Sequence, residues 1–150
     1  KGKTLVLLTT DHGMSPTDPK NTTYLNLEFP ELIPMLDSSQ KGHPLVPAGG
    51  CRDFFLHLKE DKLQDAISLL QEPLAEKAEV HKVHDLLEAG FFGHSVSENL
   101  RSRVGNLVIL PYYGESVWWY EKNRFEQNML GHHGGLTREE MEIPLLALCL

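Results

Sequence analysis

The run Thr4-Leu5-Val6-Leu7-Leu8-Thr9-Thr10-Asp11-His12-Gly13-Met14 decides how the rest of the chain is read. Four consecutive apolar residues without polar alternation predict a strand buried on both faces, as in a parallel sheet covered by helices on each side. The run stops on a carboxylate, an imidazole and a glycine. Open α/β sheets gather their ligands just beyond the carboxyl ends of such strands. Asp11 and His12 stand at that position, and both side chains are suited to divalent metals. Gly13 allows a sharp turn or the close approach of another group.

Two further uniformly apolar runs match the first. Asn106-Leu-Val-Ile-Leu-Pro111 reads as a second buried strand stopped by proline, and Ile143-Pro-Leu-Leu-Ala-Leu-Cys-Leu150 as a third. Arg52 to Leu58 alternates, with Phe54, Leu56 and Leu58 on one face and Phe55 and His57 on the other. Asp61 to Glu72 is the clearest helix: Leu63, Ala66, Ile67 and Leu70 keep helical spacing, and Asp61 with Gln64 resembles a capping box. Val80 to Val83 reads as a short strand and Asp85 to Gly90 as a short helix closed by glycine.

Ser97 to Val104 reads as a helical turn, and Val117 to Tyr120 as an edge strand or aromatic hairpin. Ser15 to Thr23 is rich in turn formers and reads as a loop. Tyr24 to Phe29 reads as a short strand or extended arm, and Pro30 to Leu36 as one or two helical turns. Thr137 and Glu140 form a second capping-box pattern. Apolar strands alternating with helices define an α/β chain.

Composition sets outer bounds. The 150 residues suffice for one domain with a core, at 41% hydrophobic and 23% charged. No apolar run approaches the roughly 20 residues of a membrane span. The net charge of −7, with scattered basic residues, argues against a surface for nucleic-acid polymers. Cys51 and Cys149 are far apart and read as reduced structural thiols, which leans toward a reducing, cytoplasmic setting and leaves localisation otherwise unknown. The chain opens on Lys-Gly-Lys almost directly at a strand, which suggests a piece of a longer polypeptide.

The chemistry-bearing candidates are few. Gly131-His132-His133-Gly134-Gly135 places two imidazoles in a backbone loosened by glycine. With Asp11 and His12 it supplies the donor types of a divalent-metal site; flexible loops with surface histidines are the competing reading. Asp53 and His57 stand four apart, but on a strand that spacing is about 13 Å, too far to share an ion. His81, His84 and Asp85 straddle a strand-to-helix junction and read as solvated surface, and His43 and His94 have no partner pattern. Ser15 and Thr17 lie near the candidate site without an evident activating base. Trp118-Trp119-Tyr120 reads as a packed hydrophobic patch in preference to a base-stacking platform.

These residues resemble a known family. Leu-Leu-Thr-Thr-Asp11-His12-Gly13-Met14, then Gly131-His132-His133-Gly134-Gly135, a Glu-rich turn and the closing Ile-Pro-Leu strand look like the alkaline phosphatase superfamily. The Asp-His-Gly-Met form is most similar to its type I phosphodiesterase/nucleotide pyrophosphatase branch, and Glu88-Ala-Gly-Phe-Phe-Gly and Arg103-Val-Gly-Asn-Leu-Val-Ile-Leu-Pro are in the same style. The resemblance covers nearly the whole chain but only the C-terminal part of the family's catalytic domain.

It implies an alkaline phosphatase-like fold, with residues 1–150 an incomplete domain holding part of a mostly parallel sheet flanked by helices. It also implies a hydrolase of phosphodiester or pyrophosphate bonds, with two divalent ions, usually zinc, and a small phosphodiester or nucleotide substrate. Asp11 and His12 would bind one ion and His133 the other, with His132 outside the metal shell. The family's Thr or Ser nucleophile and its remaining ligands lie upstream of Asp-His-Gly, so no catalytic nucleophile is expected within this chain and the isolated chain is expected to be inactive, its metal occupancy doubtful. Other members of the superfamily (phosphomonoesterases, phosphonate hydrolases, phosphoglycerate mutases) remain alternatives, as does a non-catalytic binding module that keeps the fold. An incomplete sheet also predicts self-association through an exposed edge.

Overall fold

The computed structural model describes residues 2–150. In chain order it contains β1 (Leu5–Thr9), β2 (Ser15–Tyr24), α1 (Leu25–Glu28), β3 (Ala48–Gly49), β4 (Phe54–Leu56), α2 (Leu63–Gln71), β5 (Ala78–Lys82) and α3 (Val83–Glu88). There follow α4 (Glu98–Arg101), β6 (Leu107–Pro111), β7 (Gly114–Trp118), β8 (Gly131–His132), α5 (Arg138–Met141) and β9 (Leu145–Cys149). Short 3-10 turns occupy Pro30–Met35 and Glu60–Lys62.

The core is built on a four-stranded sheet in the order β3-β4-β6-β5. Alternation along β4 assigns its side chains as the sequence predicts: Phe54, Leu56 and Leu58 enter one apolar cluster, and Phe55 enters another. β6 divides in the same way, with Leu107 and Ile109 on the first face and Val108 on the second. Ala66, Ile67 and Leu70 of α2, with Leu25 and Leu32, cover the first face; Val83 and Leu86 of α3 cover the second. Leu56, Leu70 and Leu107 are wholly buried, and each contributes about 1.5–3 kcal/mol by leaving water.

α3 ends at Gly90, whose positive φ of 80° is the left-handed cap that its Gly predicts. Ser97 caps α4 by accepting the Leu100 N–H at 3.2 Å. Thr137 and Glu140 form the expected capping box at α5.

The α/β class and helices on both faces agree with expectation, whereas strand direction does not. β3-β4, β4-β6, β5-β6, β2-β8 and β1-β9 are antiparallel, and only β2-β7 is parallel. The uniformly apolar β6 is covered on both faces, and an antiparallel strand meets that condition as well as a parallel one would.

β1 and β9 depart further. They pair only with each other, and all ten of their residues are exposed, Leu8 at 63% and Leu146 at 61% among them. Neither is buried on both faces, because among the described residues no helix packs over them.

Three local expectations are also corrected. Ser15–Tyr24 is a strand, held by β7 on one side and β8 on the other, and its Asp18-Pro19-Lys20-Asn21 middle is absorbed in a register shift between Thr17 and Thr22. Tertiary pairing overrides its turn-forming composition. Leu25–Glu28 is helical where a strand or arm is expected. At α2 the Asp61–Gln64 capping box does not form; Lys62 is the N-cap, without a side-chain cap, after the Glu60–Lys62 turn.

Candidate active site

The segment after β1 carries Asp11 and His12, and the segment around β8 carries His132 and His133. Two sets of backbone bonds bring them together. Antiparallel pairing places Ser15 opposite His132 and Pro16 opposite Gly131. Beside it, the Gly13 N–H donates to the Glu140 carbonyl at 2.8 Å and the Met14 N–H to the Glu139 carbonyl at 2.9 Å. A Cβ on Gly13 would lie 1.9 Å from the Glu139 oxygen, so this approach admits only glycine.

The outcome is a stacked pair of imidazoles. The rings of His12 and His133 have centroids 3.8 Å apart and planes inclined by 15°. His12 Nδ1 lies 2.7 Å from the Gly13 carbonyl, which can only accept, so the bond requires a proton on Nδ1. In the neutral ring Nε2 then keeps its lone pair, the arrangement seen in metal-ligating histidines. Asp11 Oδ2 is 3.8 Å from that Nε2, its side chain is 89% exposed, and His12 is 40% exposed.

One carboxylate and two imidazoles have the donor chemistry of a divalent-metal site. Their arrangement does not complete one. Among the described residues no group of three His, Cys, Asp or Glu side chains could hold an ion.

His132 faces inward. Its Nε2 lies 2.5 Å from Nε2 of the buried Gln127, which donates to it and also reaches the Cys51 sulfur at 3.3 Å. Burial lowers the His132 pKa, and the neighbouring His133 and Arg52 lower it further. Burial likewise pushes the Cys51 thiol up to about 11, keeping this free cysteine protonated.

Asp53 directly precedes β4 and His57 directly follows it. The surroundings of Asp53 come from elsewhere. Its Oδ1 accepts the Gly50 N–H at 2.7 Å, and a Cβ on Gly134 would lie 2.9 Å from the same oxygen. The carboxylate therefore packs directly on the loop that carries His133. Burial raises its pKa, and the bond from Gly50 only partly opposes this.

Arg52 and Glu140, wholly buried beneath the same loop, form a bidentate ion pair that no local pattern signalled. Arg52 heads an alternating aromatic strand and Glu140 belongs to a capping-box pattern, and neither local pattern points to the other residue.

Ser15 and Thr17 are buried, with hydroxyls donating to the carbonyls of Pro16 at 3.3 Å and Met129 at 3.1 Å. Trp118 packs edge-on against Phe54 and Phe125, as the packed-patch reading requires. A cavity of about 190 Å³ remains between these rings, Trp119 and Pro47.

No family model and no curated protein sequence matches the chain. Solved structures do. Murine ectonucleotide pyrophosphatase/phosphodiesterase 5 superposes over 95% of the chain and 33% of its own length, with a TM-score of 0.63 and 19% identity. The human protein of the same name gives 0.64 and 18%, again over 95% of this chain and 33% of its own. Phosphonoacetate hydrolase from Sinorhizobium meliloti 1021, in complex with phosphonoacetate, gives 0.62 and 18% over 95% of this chain and 35% of its own. The chain thus has an alkaline phosphatase-like fold and spans about a third of the length of these structures.

Proposed function

We propose that residues 1–150 are the C-terminal part of the catalytic domain of a hydrolase that cleaves phosphodiester or pyrophosphate bonds. The observation that carries the reading is the stacking of His12 on His133 beside Asp11, just beyond the carboxyl end of β1, in a chain with an alkaline phosphatase-like fold. In this reading Asp11, His12 and His133 are metal ligands for zinc. The further donors and the Thr or Ser nucleophile come from residues outside these 150. The murine enzyme's inactive Thr-to-Ala variant was solved in complex with AMP, which supports a nucleotide as the substrate class.

The 150-residue chain alone is then inactive. Incubated with zinc and a nitrophenyl phosphodiester, it should release no nitrophenol above buffer. Turnover that disappears in Asp11→Ala or His133→Ala would overturn that statement.

A second reading, cleavage of a phosphonate, is supported by the nearly equal superposition on phosphonoacetate hydrolase. Offering the complete gene product a nitrophenyl phosphodiester and phosphonoacetate side by side separates the two. Hydrolysis of neither would favour a non-catalytic module with the same fold.

A further inference from the structure

Arg52 and Glu140 form an ion pair sealed from water, with side-chain exposures of 0% and 1%. Arg52 Nε and Nη2 donate to Glu140 Oε1 and Oε2 at 3.0 and 2.9 Å, the parallel two-bond geometry that fixes orientation as well as distance. Arg52 Nη1 donates to the carbonyls of Tyr112, at 2.7 Å, and Glu115. The carboxylate also accepts the Gly135 N–H at 3.0 Å, the Thr137 hydroxyl at 2.6 Å and the Thr137 N–H at 3.4 Å. A buried pair so fully bonded is a weak source of net stability compared with apolar residues of the same shape, but it specifies one arrangement.

The groups at either end of this network give it a further meaning. Gly135 closes the glycine loop that carries His133. Through its own carbonyl, Glu140 receives the N–H of Gly13, the residue after His12, and the Glu139 carbonyl receives that of Met14. One residue is therefore tied by its side chain to one histidine segment and by its backbone to the other. Arg52 also precedes Asp53, whose carboxylate packs on Gly134 of the same loop.

We propose that the Arg52–Glu140 pair is a positioning brace that sets how His12 and His133 lie against each other. Its catalytic significance rests on the reading of these histidines given above; the geometric statement does not.

The experiment is carried out on the 150-residue chain, by NMR of the histidine ring protons and nitrogens. Stacked rings shift each other's signals, so His12 and His133 report their own juxtaposition. Glu140→Ala should displace both sets of ring signals, and Glu140→Gln, which keeps the shape and one acceptor oxygen, should displace them less. Should Glu140→Ala fail to fold, the double variant Arg52→Met/Glu140→Leu removes both charges at similar volume and keeps the core filled. It should also move both sets.

Leu70→Ala serves as the control: it opens a cavity in the core cluster on α2 and bonds to neither histidine segment. It should lower the denaturation midpoint and leave the ring signals in place. Unchanged His12 and His133 signals in the folded double variant, or equal displacement by Leu70→Ala, would overturn the proposal. Neither result depends on whether the complete protein hydrolyses a phosphoester, so the two readings fail separately.

Discussion

His12 and His133 come from opposite ends of the chain and stack with ring centroids 3.8 Å apart. The contact gathers the donor types of a metal site without converging them on a point. Zinc should therefore bind this chain weakly, because complete sites need about three or four well-placed protein ligands. Competition against a chromophoric zinc indicator measures this, and Asp11→Ala and His133→Ala should each weaken binding further. Tight one-to-one binding that ignores both substitutions would show that the ion is held elsewhere.

Gly13→Ala should loosen the junction between the Asp11-His12 segment and α5. Its new Cβ would meet the Glu139 carbonyl at 1.9 Å, so the backbone must move and the Gly13–Glu140 bond must lengthen or break. A cost of about 1–3 kcal/mol is expected from such overpacking. Chemical denaturation measures the loss, and an unchanged midpoint would contradict the close approach.

Removing one member of the buried ion pair should be far worse than removing both. Arg52→Ala leaves Glu140 charged and unpaired in the interior, at a cost of about 3–5 kcal/mol. Arg52→Met/Glu140→Leu should recover most of that stability. Urea midpoints of the two variants give the comparison, and equal losses would mean the pair's burial is not what matters.

Acid should act through Glu140. Burial works to raise its pKa, but the bonds from Arg52, Thr137 and Gly135 outweigh burial and hold the carboxyl below its ordinary value. The unfolded chain then binds the proton first, so this contribution is complete above about pH 4.3 and is lost as the pH falls toward the lowered folded value. Between pH 6 and pH 3, wild type should lose stability more steeply than Glu140→Gln. Parallel slopes in urea titrations would contradict the assignment.

The β1–β9 ribbon should make the isolated chain self-associate. Among the described residues both faces and both outer edges are open, with Leu7, Leu8, Leu145, Leu146 and Leu148 exposed, and such strands pair or aggregate unless charged residues interrupt them. Sedimentation velocity should show mass increasing with concentration, and Leu8→Lys with Leu146→Lys should suppress it. A strict monomer at high concentration would remove this expectation.

Much of the architecture was legible in the chain itself. Periodicity located α2, the alternation of Phe54 to Leu58 assigned its side chains to opposite faces, and Gly90 and Thr137 marked helix ends. Each of these signals is local, arising from residues that share a turn or a strand. β2 was not legible, because Pro16, Asp18 and Pro19 are turn formers by intrinsic preference, and the strand is held by pairing of the residues on either side of Asp18–Asn21 with Gly114–Trp118 and Gly131–His132. Strand direction was not legible either, since burial on both faces is compatible with either direction.

The same division holds at the candidate site. In the sequence, Asp11, His12 and the His132-His133 pair stand out because a carboxylate and imidazoles next to glycines are recognisable by type and placement, and the family resemblance selects His133 of the two. Only the tertiary structure stacked His12 on His133, packed Asp53 onto Gly134, and joined Arg52 to Glu140 beneath both segments. These are contacts between residues distant in the chain, and no local preference encodes them. They are decided by which buried charges and backbone groups find partners when the sheets close.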